Sequence, residues 1–147
     1  MKIAVATNDN RTVAGHVGRC KAFIVYETEG SKTISKADGY IWITPEYNHS
    51  TSAALKNAID YLYFEWGYKP VGLVGYGTLG GGRAIEHLVG IASQLNMVAV
   101  GKRVSIMAPW ASVGEDGQVD PSAVIGDPKK LVAEVAKWAD ATKSLRS

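Results

Sequence analysis

Residues 39–50 read GYIWITPEYNHS, and this stretch decides the fold. Tyr40, Ile41, Trp42 and Ile43 form an unbroken apolar run, the pattern of a strand covered on both faces rather than the alternation of a half-exposed one. The run then enters Pro45, Glu46, Tyr47 and Asn48, residues poorly suited to a packed core. A buried strand that empties into such a loop predicts an α/β sheet holding a ligand at the carboxyl ends of its strands.

Reading outward gives the rest of the sheet. KIAVAT (2–7), AFIVYE (22–27), VGLVGY (71–76) and RVSIMA (103–108) are the other strand candidates. A helix capped by Ser50 carries a stripe of Ala54, Leu55, Ala58, Ile59 and Leu62, with Tyr61, Phe64 and Trp66 left off it as surplus aromatic surface. A second follows GGGR with Ala84, Ile85, Leu88, Ile91, Ala92 and Leu95, and a third opens at Asp127-Pro128. From residue 39 onward, strand and helix alternate as in a parallel sheet with right-handed crossovers.

The first 38 residues break that rhythm. Residues 8–21 are too short and too interrupted by Gly15 and Gly18 for a crossover helix, so they predict a loop and an antiparallel return. The expected fold is a three-layer α/β sandwich with a mostly parallel sheet and an antiparallel N-terminal edge. It forms a single domain over 1–147, of which 1–36 is an atypical β segment.

Composition narrows the function. The 147 residues suffice to bury close to 70 % of the unfolded surface. The single cysteine, Cys20, rules out an intramolecular disulfide framework. The opening MKIAVATNDN lacks the apolar core of a signal peptide, and a cytoplasmic location is expected. With 16 basic and 14 acidic residues spread along the chain, there is no footprint for nucleic acid. No apolar run approaches the roughly 20 residues that would cross a bilayer.

Two loops carry the chemistry. TPEYNHS offers Tyr47 as an aromatic wall and Glu46 and Asn48 as polar contacts. GYGTLGGGR offers bare backbone at Gly77, Gly80, Gly81 and Gly82, able to approach a flat ligand closely. Together they suit a planar, hydrogen-bonding heterocycle. His49 reads as a loop residue, His87 as a helix-surface residue and Trp42 as core.

PEYNHS and GGGR, separated by one strand and one helix, resemble the NADPH-dependent FMN reductase family of flavodoxin-like proteins, from about Ala37 to the C-terminus. The resemblance implies FMN as cofactor and NAD(P)H as electron donor, with a quinone, metal ion or azo compound as acceptor. It implies that Pro45, Glu46, Tyr47, Asn48, His49 and Ser50 contact the isoalloxazine ring and ribityl chain. Gly77, Thr78, Gly80, Gly81, Gly82 and the adjoining Arg83 would support the pyrimidine side. No catalytic side chain and no metal ligand is implied, because such catalysis rests on stacking geometry. A homodimer through the helices of residues 50–66 and 84–95 is implied as well.

The family's phosphate loop, Gly-Ser-x-Arg after the first strand, is replaced here by NDNRTVAGHVGRC. Losing two charge-assisted hydrogen bonds weakens binding by about 3–6 kcal/mol, on the order of 10²- to 10⁴-fold. Weakened or lost FMN binding is therefore expected, with Asn8, Asn10, Arg11 and Thr12 as substitute donors. MKIAVATNDNRTVAGHVGRCKAFIVYE instead resembles the opening of the dinitrogenase iron–molybdenum cofactor biosynthesis family, with His16 on its Gly-His-x-Gly-Arg motif and Cys20 nearby. Two resemblances meeting between Thr28 and Lys36 imply a natural or engineered chimera. The alternatives to a reductase are a non-catalytic chimeric scaffold and a carrier of iron–sulfur or iron–molybdenum precursors.

Overall fold

The computed structural model describes the backbone of strands Lys2–Thr7 and Ala22–Glu27 and the whole of residues 37–146. His16, Cys20 and the substitute phosphate donors lie outside the described residues.

Among the described residues, six strands form one sheet: β1 (Lys2–Thr7), β2 (Ala22–Glu27), β3 (Gly39–Pro45), β4 (Pro70–Gly77), β5 (Val98–Met107) and β6 (Val124–Ile125). Their order is β2-β1-β3-β4-β5-β6. The β1, β3, β4 and β5 neighbours pair in parallel, while β2 and β6 run antiparallel at the two edges. This is the flavodoxin-like order 2-1-3-4-5 with its outer strand reversed. The antiparallel N-terminal return is as expected from the short β1–β2 connection.

Burial on both faces explains why β3 reads as continuously apolar, since all seven of its residues are buried. Tyr40 and Trp42 face α1 (Ala53–Asp60) and α2 (Gly82–Gln94), where they pack with Leu55, Ile59, Val71, Leu73 and Leu88. Ile41 and Ile43 face α4 (Pro128–Ala141) and meet Leu131 and Val135. Gly72 on β4 admits α4 to this closeness, because a Cβ there would lie 2.7 Å from Ile41 and 2.9 Å from Leu131. Asp127 caps α4 through the Lys129 and Lys130 amides ahead of Pro128, as its sequence predicts.

Three expectations are corrected. Trp66 is core rather than surplus: it is buried in the 3₁₀ turn Phe64–Trp66, packs edge-on against Tyr40 and Trp42, and donates its Nε1–H to the Ile59 and Leu62 carbonyls. Tyr61 and Phe64 remain on the surface, 85 % and 89 % exposed. The cap of α1 is Ser52, whose side chain accepts from the Leu55 amide, and not Ser50. β5 starts at Val98, before the expected Arg103, because Gly101 and Lys102 interrupt the apolar pattern at an irregularity in its pairing with β4.

Candidate functional site

The parallel core brings the carboxyl ends of β1, β3, β4 and β5 to one edge of the sheet. Two loops leave that edge side by side.

The first follows Pro45. The Glu46 amide donates to the Tyr76 carbonyl at 2.9 Å, the last bond tying the chain to the sheet. Tyr47 and Ser50 then exchange backbone hydrogen bonds of 2.9 and 3.0 Å around Asn48 and His49, whose φ values are 50° and 67°. Two successive left-handed residues make this a hairpin turn of the primed kind, which asparagine favours. Beneath it, the buried Thr44 hydroxyl donates to the Pro45 carbonyl and shares a 2.7 Å hydrogen bond with Thr51.

The second loop follows Gly77, whose carbonyl accepts from the Gly80 and Ala108 amides. Gly80 and Gly81 both hold left-handed backbone, at φ 70° and 77°. Gly81 caps α2, and a Cβ there would sit 2.5 Å from the Tyr76 nitrogen, so glycine is required.

Glu46 locks the two loops together. One carboxylate oxygen accepts from the Arg83 amide at 3.1 Å, in the first turn of α2, and the other from the Arg83 guanidinium at 2.8 Å. That hydrogen-bonded guanidinium holds the carboxyl below its ordinary range. One turn along α2, His87 Nδ1 and the Ser50 hydroxyl share a 2.9 Å hydrogen bond.

Between the loops lies a cavity of about 340 Å³ lined by Pro45, Glu46, Tyr47, Tyr76, Gly77, Pro109 and Trp110. Trp110 stands in α3 (Pro109–Ser112), directly after β5. Tyr47 and Trp110 are 46 % and 69 % exposed, so their rings present open apolar surface rather than sealed core.

Of the residues singled out from sequence, Pro45, Glu46, Tyr47 and Gly77 line this cavity, and the others do not. Asn48 and His49 form the hairpin turn, Ser50 faces His87, and Gly80, Gly81 and Gly82 form the backbone bend behind the cavity. Arg83 is turned to Glu46, and Thr78 is exposed beside Gly77. Tyr76, Pro109 and Trp110 are absent from the sequence-derived site; an aromatic residue just past a strand's carboxyl end is the signal that could have found Trp110.

A larger cavity, about 670 Å³, opens at the opposite, amino edge of the sheet around Asp38, Tyr68, Lys69 and Arg146. Arg146 pairs there with Asp38 at 3.2 Å and donates to the Tyr68 carbonyl, tying the C-terminal turn to the sheet. Burial, with the neighbouring Arg146, depresses the Lys69 ammonium pKa. This is the amino pole of a parallel sheet, away from the divergent strand ends where open α/β folds bind ligands.

A flavodoxin-like α/β sheet with a cleft at its carboxyl edge is the class of protein that this fold and site define. The profile of the NADPH-dependent FMN reductase family matches residues 27–111, and the chain belongs to that family. It is 38 % identical over 112 residues to an NAD(P)H-dependent FMN reductase of Schizosaccharomyces pombe, covering 74 % of this chain and 55 % of the relative. It is 35 % identical over 119 residues to an NADPH azoreductase of a Bacillus species, covering 78 % and 66 %. Among solved structures it is similar to FerB, a flavoenzyme NAD(P)H:(acceptor) oxidoreductase of Paracoccus denitrificans, with a TM-score of 0.52 and 26 % identity over 76 % of this chain and 64 % of FerB. The chain thus spans little more than half the length of the Schizosaccharomyces reductase. Among the described residues, no helix is long and apolar enough to cross a membrane.

Proposed function

We propose that this chain is an NAD(P)H-dependent reductase of the FMN and quinone type, and that its cavity takes a flavin ring more readily than a flavin phosphate. The observation that carries this reading is the cleft at the carboxyl edge whose lining joins the Tyr47 and Trp110 rings to the Glu46 carboxylate and the Gly77 backbone. A planar ring suits it: aromatic side chains in the lining offer stacking, and Gly77 contributes only backbone to that lining. Among the described residues the Thr78 and Leu79 amides donate to no protein group, so they can serve the polar edge of a heterocycle.

FMN, when bound, supplies the hydride chemistry linking NAD(P)H to an acceptor such as a quinone. The chain's part is geometric. Tyr47 and Trp110 stack and exclude water, the Gly77–Gly82 loop offers backbone donors, and the Glu46–Arg83 pair keeps the two loops in register. Asn48, His49, Ser50, Gly80, Gly81, Gly82 and Arg83 then support the ring's surroundings from behind.

The phosphate end is different. Glu46 already fills the N-terminus of α2 with a carboxylate, so that helix end is closed to a second anion. NDNRTVAGHVGRC follows β1 where the family's phosphate loop would stand, which supports weakened FMN binding. The family match begins at residue 27, after the stretch that resembles the iron–molybdenum cofactor family, and this favours recombination of two α/β pieces as the chain's origin. The exposed Tyr61 and Phe64 and the groove between α1 and α2 support a homodimer through these helices.

The decisive experiment is a fluorescence titration with riboflavin and FMN, followed by NADPH and NADH oxidation with a quinone acceptor. The expected result is micromolar or weaker binding with little preference between the two flavins. Binding of FMN at least about 100-fold tighter than riboflavin would mean a working phosphate site. Binding of neither would leave the scaffold alternative standing.

A further inference from the structure

Arg83 and His87 are four residues apart on α2, so one helix face presents both. Opposite them the hairpin presents Glu46 at its start and Ser50 at its end. Each end meets one of the pair: Glu46 takes the Arg83 amide and guanidinium, and Ser50 shares a hydrogen bond with His87. Tyr47, a wall of the cavity, lies between these two anchors, while neither Arg83 nor His87 lines the cavity. His87 instead borders the neighbouring groove between α1 and α2, together with Ser50 and Lys56.

We propose that Arg83 and His87 are positioning residues, a two-point clamp by which α2 holds the 46–50 hairpin at the spacing from Trp110 that admits a flat ring. The proposal rests on the flavin reading for its purpose, but its mechanics stand on the hairpin alone. The Tyr47–Ser50 backbone pair closes the hairpin on itself without fixing where it sits. The Glu46 amide gives the hairpin a backbone tie to the sheet, through the Tyr76 carbonyl. This bond and the Thr44–Thr51 bond tie the base of the hairpin to the sheet, and the two anchors on α2 add a direction, toward that helix, at both ends of the 46–50 segment. Glu46 is the stronger anchor, with a side chain only 10 % exposed and two charge-assisted bonds. Ser50–His87 is a single exposed bond whose effect is directional.

Amide hydrogen exchange, measured on the whole chain as Arg83→Met, His87→Ala and the double variant, tests this. Arg83→Met, which loses the guanidinium bond to Glu46 but keeps the amide bond, and His87→Ala are each expected to speed exchange at the Tyr47 and Ser50 amides by about tenfold, with core amides of β3, β4 and α2 unchanged. Arg83→Lys, which restores a charge opposite Glu46, is expected to recover part of the protection. In parallel, riboflavin bound to the clamp variants should regain fluorescence that stacking between Tyr47 and Trp110 quenches in the wild type.

Unchanged hairpin amides would overturn the clamp, and so would acceleration spread evenly along α2, which is loss of stability and not of position. A response to Arg83→Met with none to His87→Ala would overturn its two-point form. If the wild type binds no riboflavin, the flavin reading falls, and the exchange rates alone decide the clamp.

Discussion

The two loops that frame the cavity are built in opposite ways. The 46–50 hairpin is held by side chains, through Thr44–Thr51, Glu46–Arg83 and Ser50–His87. The 77–82 loop is held by backbone, through the Gly77 carbonyl and two left-handed glycines packed against the chain. A loop of the first kind is damaged by removing atoms and a loop of the second kind by adding them. The cavity needs both, since one must present a ring and the other must keep out of its way.

The largest effect therefore comes from one added carbon. Gly81→Ala places a Cβ 2.5 Å from the Tyr76 nitrogen and 2.7 Å from the Gly75 Cα, at a φ of 77° that alanine disfavours. Both contacts are backbone, so no side chain can turn aside. A loss of at least about 3 kcal/mol is expected in denaturant unfolding. Gly82→Ala, one residue on and with nothing within 4 Å, should cost next to nothing. Equal losses at the two positions would mean that the loop is not held by its backbone.

The hairpin responds to the reverse operation. Glu46→Ala removes the acceptor of the Arg83 amide and the partner of its guanidinium together, and should cost about 1–3 kcal/mol. The Arg83→Met loss should largely overlap with it, so the double variant is expected to be little worse than Glu46→Ala alone. Additive losses in unfolding measurements would show that the two residues do not act as a pair.

What could be read in advance follows the same division. β1, β2 and β3 were legible because short apolar runs bounded by polar residues carry their own signal, and the glycines after β4 announced a bent backbone. Partnerships across space were not legible. Glu46 and Arg83 are 37 residues apart, and only the parallel pairing of β3 with β4 brings them together. Ser50, Thr51 and Ser52 are all acceptable helix caps by composition; Ser50 is drawn into the hairpin, which leaves the cap to Ser52. Trp66 reads as surplus on a helical wheel because the helix ends at Asp60 and a 3₁₀ turn swings the indole back onto Tyr40. Likewise β5 hid its first half behind Gly101 and Lys102, where four steps of β5, Ala99 to Arg103, stand against two of β4, Val71 to Leu73.

A third measurement separates framework from walls. Trp110→Ala deletes a ring that is 69 % exposed, so it should change unfolding by no more than about 0.5 kcal/mol, while Tyr47→Ala, which removes a half-buried ring, should cost more. Riboflavin affinity should nonetheless fall by up to about tenfold for each, the worth of one stacked aromatic pair. Unaltered affinity in both variants would place the flavin elsewhere on the molecule.

The smallest effect is one of pH, and it distinguishes the loops without touching the cavity. Hydrogen bonding from Arg83 lowers the Glu46 carboxyl below its ordinary value of 4.5, so the folded chain binds this proton less readily than the unfolded one. The charge on Glu46 thus stabilises the fold fully above the unfolded value, and the gain is lost as pH falls through the folded one. Glu46→Gln keeps the size and an acceptor for the Arg83 amide while removing the charge. Because Arg83 is nearly half exposed, solvent screening limits the gap between wild type and variant to about 1 kcal/mol at neutral pH. That gap should hold down to about pH 5 and close below the ordinary glutamate range. The Gly81→Ala deficit, being steric, should stay flat over the same interval. A Glu46→Gln gap that closed near neutrality, or a Gly81→Ala deficit that followed the acid titration, would remove the distinction between a loop held by charge and a loop held by backbone.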